Sequence, residues 1–596
     1  MIYPDSRKTS LLGRATVQLS DDHQLYLEAL GARAETSYIL SPNPQRIRNL
    51  PLSVLPANYR TALTQPGLPT TFSGIRLRMT EAGNRSNEVT SDATRVVVGA
   101  SGTLMGWDYD AALVRAENKA TDKYVNGYTL FNEFDAGVRS GLINPFGASS
   151  QAGRDLIASL RVNDEAHKAK GVSTSIDAKL SRSLFKMDGG DAAVAVGAEF
   201  RREETQFTPS ALLLSNNIAG DRRGSLPAGQ VDPGLRATDN SRKVASLFGE
   251  FNAPFSKQLE AQFALRWDKY SAVGDTVNPK AGLRWQLNKA LLVRASAGTG
   301  FRAPSLADLN KPTTFGTASS FLTDPQCAAT NGIDLCTDQW AVERRSNPNL
   351  KPETSRQFSL GAVFEPVDRL SFTVDYWAIE KKDVISTLGD QIIVESPAKY
   401  NGTYIQRDSG GFISNILLQK ENQGRLKTLG IDIGIDWRSV SSAIGRFGFH
   451  LQGTLVLEYD RQFGPQEPDR SNLGVFLNDQ VIQRWRHRVS VDYDIGAFGF
   501  TLGNGFSSGY RDQNTTYDPV SNTRLPERQV KAYSLWDFSA SWAVNKQLRL
   551  RAGVLNLLDT PPPFSNQAYY FLAGYDPTYT DTRGRTVQVS LNYSFK

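Results

Sequence analysis

The chain has 596 residues, 67 Lys and Arg against 61 Asp and Glu for a net charge of +6, 40% hydrophobic residues and 49 glycines. No apolar run approaches the roughly 18 residues of a membrane helix, which excludes helical spans, and the length exceeds what one soluble core holds. The basic residues are spread along the chain, so no nucleic-acid footprint is expected.

The first residues, Met1-Ile-Tyr-Pro-Asp-Ser-Arg-Lys, lack the basic-then-apolar start of a secretory signal. They lead at once into strict alternation. Leu11, Gly13, Ala15, Val17 and Leu19 interleave with Ser10, Arg14, Thr16 and Gln18. Period two means a β-strand with one apolar and one wet face. The pattern recurs at Leu259–Trp267, Leu370–Tyr376, Ile431–Trp437, Phe447–Tyr459, Val489–Tyr493 and Leu548–Val554. It ends with Val587, Val589, Leu591, Tyr593 and Phe595 opposite Gln588, Ser590, Asn592 and Ser594.

A soluble sandwich also alternates, but three features favour a membrane. The strands run to about ten residues, the length a tilted span needs. Aromatics stand at strand ends as interfacial girdles: Trp107, Trp267, Tyr376, Trp437, Tyr459, Trp485, Trp542 and Tyr593. Short turns such as Met105-Gly106-Trp107 and Gly496-Ala497 alternate with long connections near 39–91, 120–167, 207–239, 302–352, 385–423, 461–481, 512–530 and 560–583. Bacterial barrels keep short turns inside and long loops outside. The fold expected is all-β, a transmembrane antiparallel barrel. About 19 strands are counted, from 8–20 and 24–37 through 92–104, 107–119, 170–184 and 192–205 to 584–595, with Ile75 to Thr80 assigned to a loop. Cys327 and Cys336, the only two cysteines, share one outer loop and are expected to form a disulfide.

Residues 291–309 read LLVRASAGTGFRAPSLADL and residues 347–354 read NPNLKPET. Asp268-Lys-Tyr270, Asn278-Pro-Lys-Ala-Gly-Leu-Arg-Trp285, Asn422 with Gly430, and Val554-Leu-Asn-Leu-Leu-Asp559 follow the same order. Together these resemble the barrel of TonB-dependent outer-membrane receptors, over essentially the whole chain and most closely over 240–596. Phe301, Arg302, Pro304, Asn347, Pro348, Pro352, Glu353, Asn556, Asp559 and Phe595 carry the resemblance, in structural roles. Pro304 and Pro352 cannot donate to a ladder and belong where strands leave or enter the sheet. Asn556 and Asp559 suit the satisfaction of backbone groups where a strand dissolves into a loop.

The resemblance implies a single barrel domain over 1–596, about 19 of the 22 strands of a plugged transporter. The family's signal peptide, TonB-binding segment and plug have no counterpart here, so Met1 is expected not to be the natural start. It implies active uptake of a scarce solute, most often a ferric siderophore, energised through TonB in the intact protein. Assembly into Gram-negative outer-membrane lipid would use the barrel assembly machinery and the C-terminal strand. Residues 303–346 hold no histidine, which argues against haem, while carbohydrate and cobalamin stay open. Arg344 and Arg345 are candidates to meet an anionic chelate, against a plainer reading as solvated arginines beside Glu343. No cofactor, metal site or enzyme chemistry is expected: His23, His167, His450 and His487 are scattered, and His450 falls on the lumen face. A passive pore and a non-functional receptor fragment are the competing readings.

Overall fold

Alternation becomes nineteen barrel strands among the described residues, each hydrogen-bonded to its neighbour in the chain. The computed structural model describes residues 4–63, 71–219, 235–318, 320–333, 336–464, 467–477, 480–512, 528–565 and 574–595. In order the strands are β1 (Asp5–Ser20), β2 (His23–Pro42), β3 (Asn84–Leu104), β4 (Trp107–Asn126), β5 (Asp164–Met187), β6 (Gly190–Pro209) and β7 (Thr238–Pro254). Then follow β8 (Leu259–Tyr270), β9 (Gly274–Gln286), β10 (Leu291–Arg302), β11 (Glu353–Val367), β12 (Leu370–Thr387) and β13 (Ile413–Arg438). The last are β14 (Arg446–Gln462), β15 (Trp485–Ile495), β16 (Phe498–Ser507), β17 (Tyr533–Ala543), β18 (Leu548–Leu555) and β19 (Thr586–Tyr593). Every neighbouring pair is antiparallel, as in an up-and-down barrel. Among the described residues β1 pairs only with β2 and β19 only with β18, so the parallel closure that an odd count allows is not formed.

The outward faces carry exposed apolar side chains, including Leu113 at 53%, Ile176 at 58% and Phe200 at 50%. Inward positions on the same strands carry Asp110, Asp177 and Glu199. Several strands run well past the membrane: β5 has 24 residues, about 80 Å of chain at ~3.3 Å each. The expected 92–104 and 107–119 are therefore the lower parts of β3 and β4. The turn joining them explains its own residues. Met105 (φ 53°) and Gly106 (φ 76°) both take positive φ, as a two-residue hairpin matching the strand twist demands.

One face assignment changes. Leu429 pairs with Glu458 but Gly430 pairs with Val456, so Leu457 is the extra residue of a bulge. Beyond it the alternation flips, and Tyr459 lies opposite inward Thr428 rather than on the face of Leu451 and Leu455. Strict period-two counting over Phe447–Tyr459 cannot register an inserted residue. Segment 75–80 does stay off the barrel: Thr71–Arg78 pairs with Pro44–Pro51 in a separate hairpin.

The long connections have cores of their own. Ile47 and Leu50 of that hairpin pack with Phe134 and Val138 of helix Phe131–Arg139 and Ile157 of helix Gln151–Ser159. A second cluster gathers Trp340, Val342, Ile393, Tyr400, Ile405 and Ile416 from three separate stretches.

Arg294, Gly361 and Asp375 are directly opposite one another on β10, β11 and β12. Arg294 grips Asp375 with Nε at 2.8 Å and a terminal nitrogen at 2.6 Å, reaching across the middle strand. Only a glycine leaves that path open, for a Cβ at 361 would meet Asp375 Oδ1 at 1.9 Å. Gly361→Ala is expected to cost about 1–2 kcal/mol, mostly from crowding rather than from the solvated pair. Thermal unfolding checks this, and Arg294→Gln should cost less.

Candidate functional site

The inward faces hold a ladder of charge. On β6, Arg201 Nε donates to Glu203 at 2.8 Å and also pairs with Glu199. Glu203 accepts from Arg242 on β7 at 2.7 Å. Arg266 on β8 pairs with Glu199 at 3.4 Å and with buried Asp268, which accepts from Ser246 at 2.6 Å. Alternating Glu-x-Arg-x-Glu on one strand face brings these charges together, and the 199–203 run carried that signal in the sequence. Arg242 also donates to the Pro304 carbonyl at 2.5 Å and lies over the Tyr270 ring at 5.0 Å.

Farther round, His450 stands between Asp436 at 2.6 Å and Asp492 at 3.2 Å on the two flanking strands. A cavity of ≈740 Å³ opens on this wall, lined by Asp375, Asp432, Arg486, Arg488, Asp537 and Tyr579 among others. Among the described residues, no group of three or more His, Cys, Asp and Glu is placed to hold a metal ion.

The motif residues stitch the wall to the loops. Arg302 lies opposite Glu353 and pairs with it, and Glu353 accepts from the Ile385 amide at 2.7 Å. Phe301 packs edge-on against Tyr270, centroids 5.6 Å apart. Beyond buried Pro304, Ser305 and Asp308 form a capping box that starts helix Leu306–Asn310. Asn347 donates from its amide to the Asp308 carbonyl at 2.9 Å and from Nδ2 to that of Lys420 at 2.9 Å, while its Oδ1 accepts from Asn349 across the Pro348 turn. Asn422 brackets Lys351 just before Pro352, accepting from its amide at 2.7 Å and donating to its carbonyl at 2.8 Å.

Asn556 (φ 50°) is buried and brackets Thr560, and Asp559 accepts from the Arg585 amide at 2.9 Å, returning the chain to β19. Phe595 is 89% exposed and packs edge-on with Tyr593 at 4.9 Å.

Cys327 and Cys336 are joined by a disulfide, with Cα atoms 5.6 Å apart. Arg345 Nε donates to Glu343 at 2.5 Å, and Glu343 also accepts from Asn415 at 3.2 Å. Arg344, its neighbour, is exposed and makes no ion pair among the described residues.

Two loop clasps carried no local signal. Arg407 grips Asp324, a residue 83 positions earlier. Glu467 accepts from Lys399 at 2.5 Å and from Tyr400, with Arg470 at 3.4 Å. Burial pushes the Glu467 carboxyl up, but the hydrogen bonds from Lys399 and Tyr400 outweigh it, leaving the group below its ordinary 4.5. A depressed carboxylate stabilises fully above its unfolded value and loses that contribution as pH falls through the folded one. Hydrogen exchange around 397–405 is therefore expected to rise below pH 4.5, and Glu467→Gln should flatten that rise.

Comparison with known proteins adds three observations. Residues 40–557 match the model of the TonB dependent receptor-like β-barrel family. The vitamin B12 transporter BtuB of Photobacterium profundum is 23% identical over 300 residues, covering 50% of this chain and 36% of that protein. The ferric enterobactin receptor of Pseudomonas aeruginosa is 26% identical over 208 residues, covering 34% of this chain and 23% of that protein. The matches thus span about a third or less of these curated relatives' length. A solved structure of the P. aeruginosa ferric enterobactin receptor (PfeA) with BCV-L6 has the same fold. Its TM-score is 0.63 at 18% identity, over 99% of this chain and 70% of that one.

Proposed function

The chain belongs to the TonB-dependent receptor-like β-barrel family, and from that premise we propose that it is the barrel of an outer-membrane receptor taking up an anionic metal chelate, a ferric siderophore first. The observation that carries this is the joining of an ordered loop assembly to a charged inner wall, through the Arg302–Glu353 and Arg242–Pro304 contacts. A loop platform of this kind captures a solute, and a polar wall gives it a passage. Transfer inward would draw on TonB in the intact protein. The relatives are named as transporters and receptors rather than enzymes, and the P. aeruginosa one, matched both in sequence and as a solved structure, is named for ferric enterobactin, a siderophore complex.

Arg344 supports the choice of an anionic cargo. Its neighbour Arg345 is paired with Glu343, whereas Arg344 is exposed and has no ion pair among the described residues. Binding is measured by quenching of tryptophan fluorescence on titration with a ferric catecholate, with cobalamin and haem alongside. Saturable quenching by the ferric catecholate alone is expected. Arg344→Ala should weaken it about tenfold, the loss of one charge-assisted contact. Saturation by cobalamin instead, with no response to the iron chelate, would reject the siderophore assignment.

A further inference from the structure

The ladder on the inner wall is a chain of shared carboxylates rather than a set of separate pairs. Glu203 gives one oxygen to Arg201 at 2.8 Å and the other to Arg242 at 2.7 Å. Glu199 likewise gives one to Arg201 and the other to Arg266, at 3.4 Å. Arg266 ends on Asp268, which takes it with both oxygens at 3.0 Å. Carboxylates and guanidinium groups thus alternate along the run, and none can move without freeing a charge on its neighbour. The Arg294–Asp375 pair is built differently. There one cation takes both oxygens, and the contact stays on the wall.

The upper end of the run leaves the wall. Arg242 lies opposite Glu203, and its side chain is only 9% exposed. A terminal nitrogen donates to the Pro304 carbonyl at 2.5 Å, and the guanidinium covers the Tyr270 ring, which packs on Phe301. Arg242 thus braces the chain on both sides of Arg302, where β10 ends. Next comes helix Leu306–Asn310, a node of the loop assembly. Leu309 packs with Leu350 and Ile385, the Asp308 carbonyl accepts from the Asn347 amide, and Lys420 lies 3.7 Å from the Asp308 carboxylate. Those partners reach in from the far end of the same connection and from β12 and β13.

We propose that Arg242 is a positioning residue through which the charge state of the inner wall sets the order of the loop platform. The cation that the lumen meets is Arg201, with 26% of its side chain exposed. Arg266 is more open at 42%, but both oxygens of Asp268 hold it. The cargo step rests on the uptake reading above: an anionic chelate descending the lumen pairs with Arg201 and takes it off Glu203. Glu203 then turns both oxygens on Arg242, the geometry an arginine–carboxylate pair prefers, and draws the guanidinium away from Pro304. Helix Leu306–Asn310 loses its wall contact while cargo is below it. The loops are thus firm for capture and looser during passage.

The test uses the full chain in neutral detergent micelles, with hydrogen exchange as readout and a ferric catecholate as probe. Arg201→Gln imitates the cargo step without any ligand, and exchange across 306–310 should rise about tenfold. Exchange along β6 and β7 should stay as in the wild type. Arg201→Lys, which restores the cation, should bring the loop back. Arg242→Gln should give the same rise, and the double variant no more than Arg242→Gln alone, because Arg201 acts through Arg242. Should Arg242→Gln not fold, Arg201→Gln in a Glu203→Gln background serves instead and should have no effect. Arg294→Gln should leave 306–310 unchanged. Unchanged exchange in Arg201→Gln, or a double variant that exceeds Arg242→Gln, overturns the coupling and leaves Arg242 a local brace. Added ferric catecholate should raise exchange in the wild type and not in Arg201→Gln. A chelate that quenches tryptophan fluorescence yet leaves wild-type exchange unchanged overturns the cargo step. One that does not bind at all overturns the uptake reading, and the variants alone still decide the coupling.

Discussion

Arg407→Ala should release the clasp between the loop that follows β10 and the one that follows β12, at a cost of about 3–5 kcal/mol to the local loop fold. Asp324 is wholly buried, and its carboxylate is held by two guanidinium nitrogens of Arg407, at 2.5 and 3.3 Å. The same guanidinium donates to Asn401 Oδ1 at 3.0 Å, the Gly411 carbonyl at 2.9 Å and Gln326 Oε1 at 3.2 Å. Deleting it strands a carboxylate in the interior of the loop assembly, the costly way to break an ion pair. Asp324→Asn in the Arg407→Ala background removes the stranded charge and should recover part of the loss. Arg407→Lys should recover less than the wild type retains, because an ammonium cannot present the planar fork. Hydrogen exchange across 322–332 reports the opening. Protection unchanged in Arg407→Ala would reject the clasp.

The strands and the clasps differ in how far each was legible in the sequence. A strand that meets lipid on one face and water on the other must alternate, so Leu259–Trp267 and Val587–Phe595 announce themselves over about ten residues. The bulge at Leu457 was hidden because an inserted residue looks locally like more of the same pattern. The motif prolines and asparagines were legible as punctuation. Their partners were not: the pairing of Asn347 with Lys420, or of Arg242 with Pro304, depends on which strands end side by side. The loop contacts are the extreme case. Asp324 and Arg407 belong to separate connections with no periodicity, and the loop assembly rather than any local rule brings them together.

The charged inner wall lies between these cases. Glu199, Arg201 and Glu203 alternate on one strand, so the sequence shows three charges on one face. It does not show that Arg242 and Arg266 arrive from β7 and β8 to share them. Register supplies that, and register follows from the outward apolar faces. The lipid-facing pattern thereby fixes the inner ion pairs, although no inner residue reveals its partner.

Loss of the Cys327–Cys336 bridge is the second large effect, about 2.5 kcal/mol from the freed loop. The two cysteines are 9 residues apart, buried, and joined within the connection that follows β10. The closed segment is also held without the bridge. The Asp324 amide donates to the Cys336 carbonyl at 2.9 Å, and the buried Trp340 ring donates to the Leu322 carbonyl at 2.9 Å. Cys327→Ser with Cys336→Ser should therefore loosen 324–336 without unfolding the strands. Asp324 caps helix Pro325–Asn331, which carries Cys327, so the bridge and the Arg407 clasp act on one element. Combining the cysteine pair with Arg407→Ala should cost less than the sum of the two, by about 1 kcal/mol, because whichever goes first has already freed much of that helix. Exchange protection of 325–331 in the four proteins gives the coupling directly, and strict additivity would show the bridge and the clasp to stabilise separate parts of the loop.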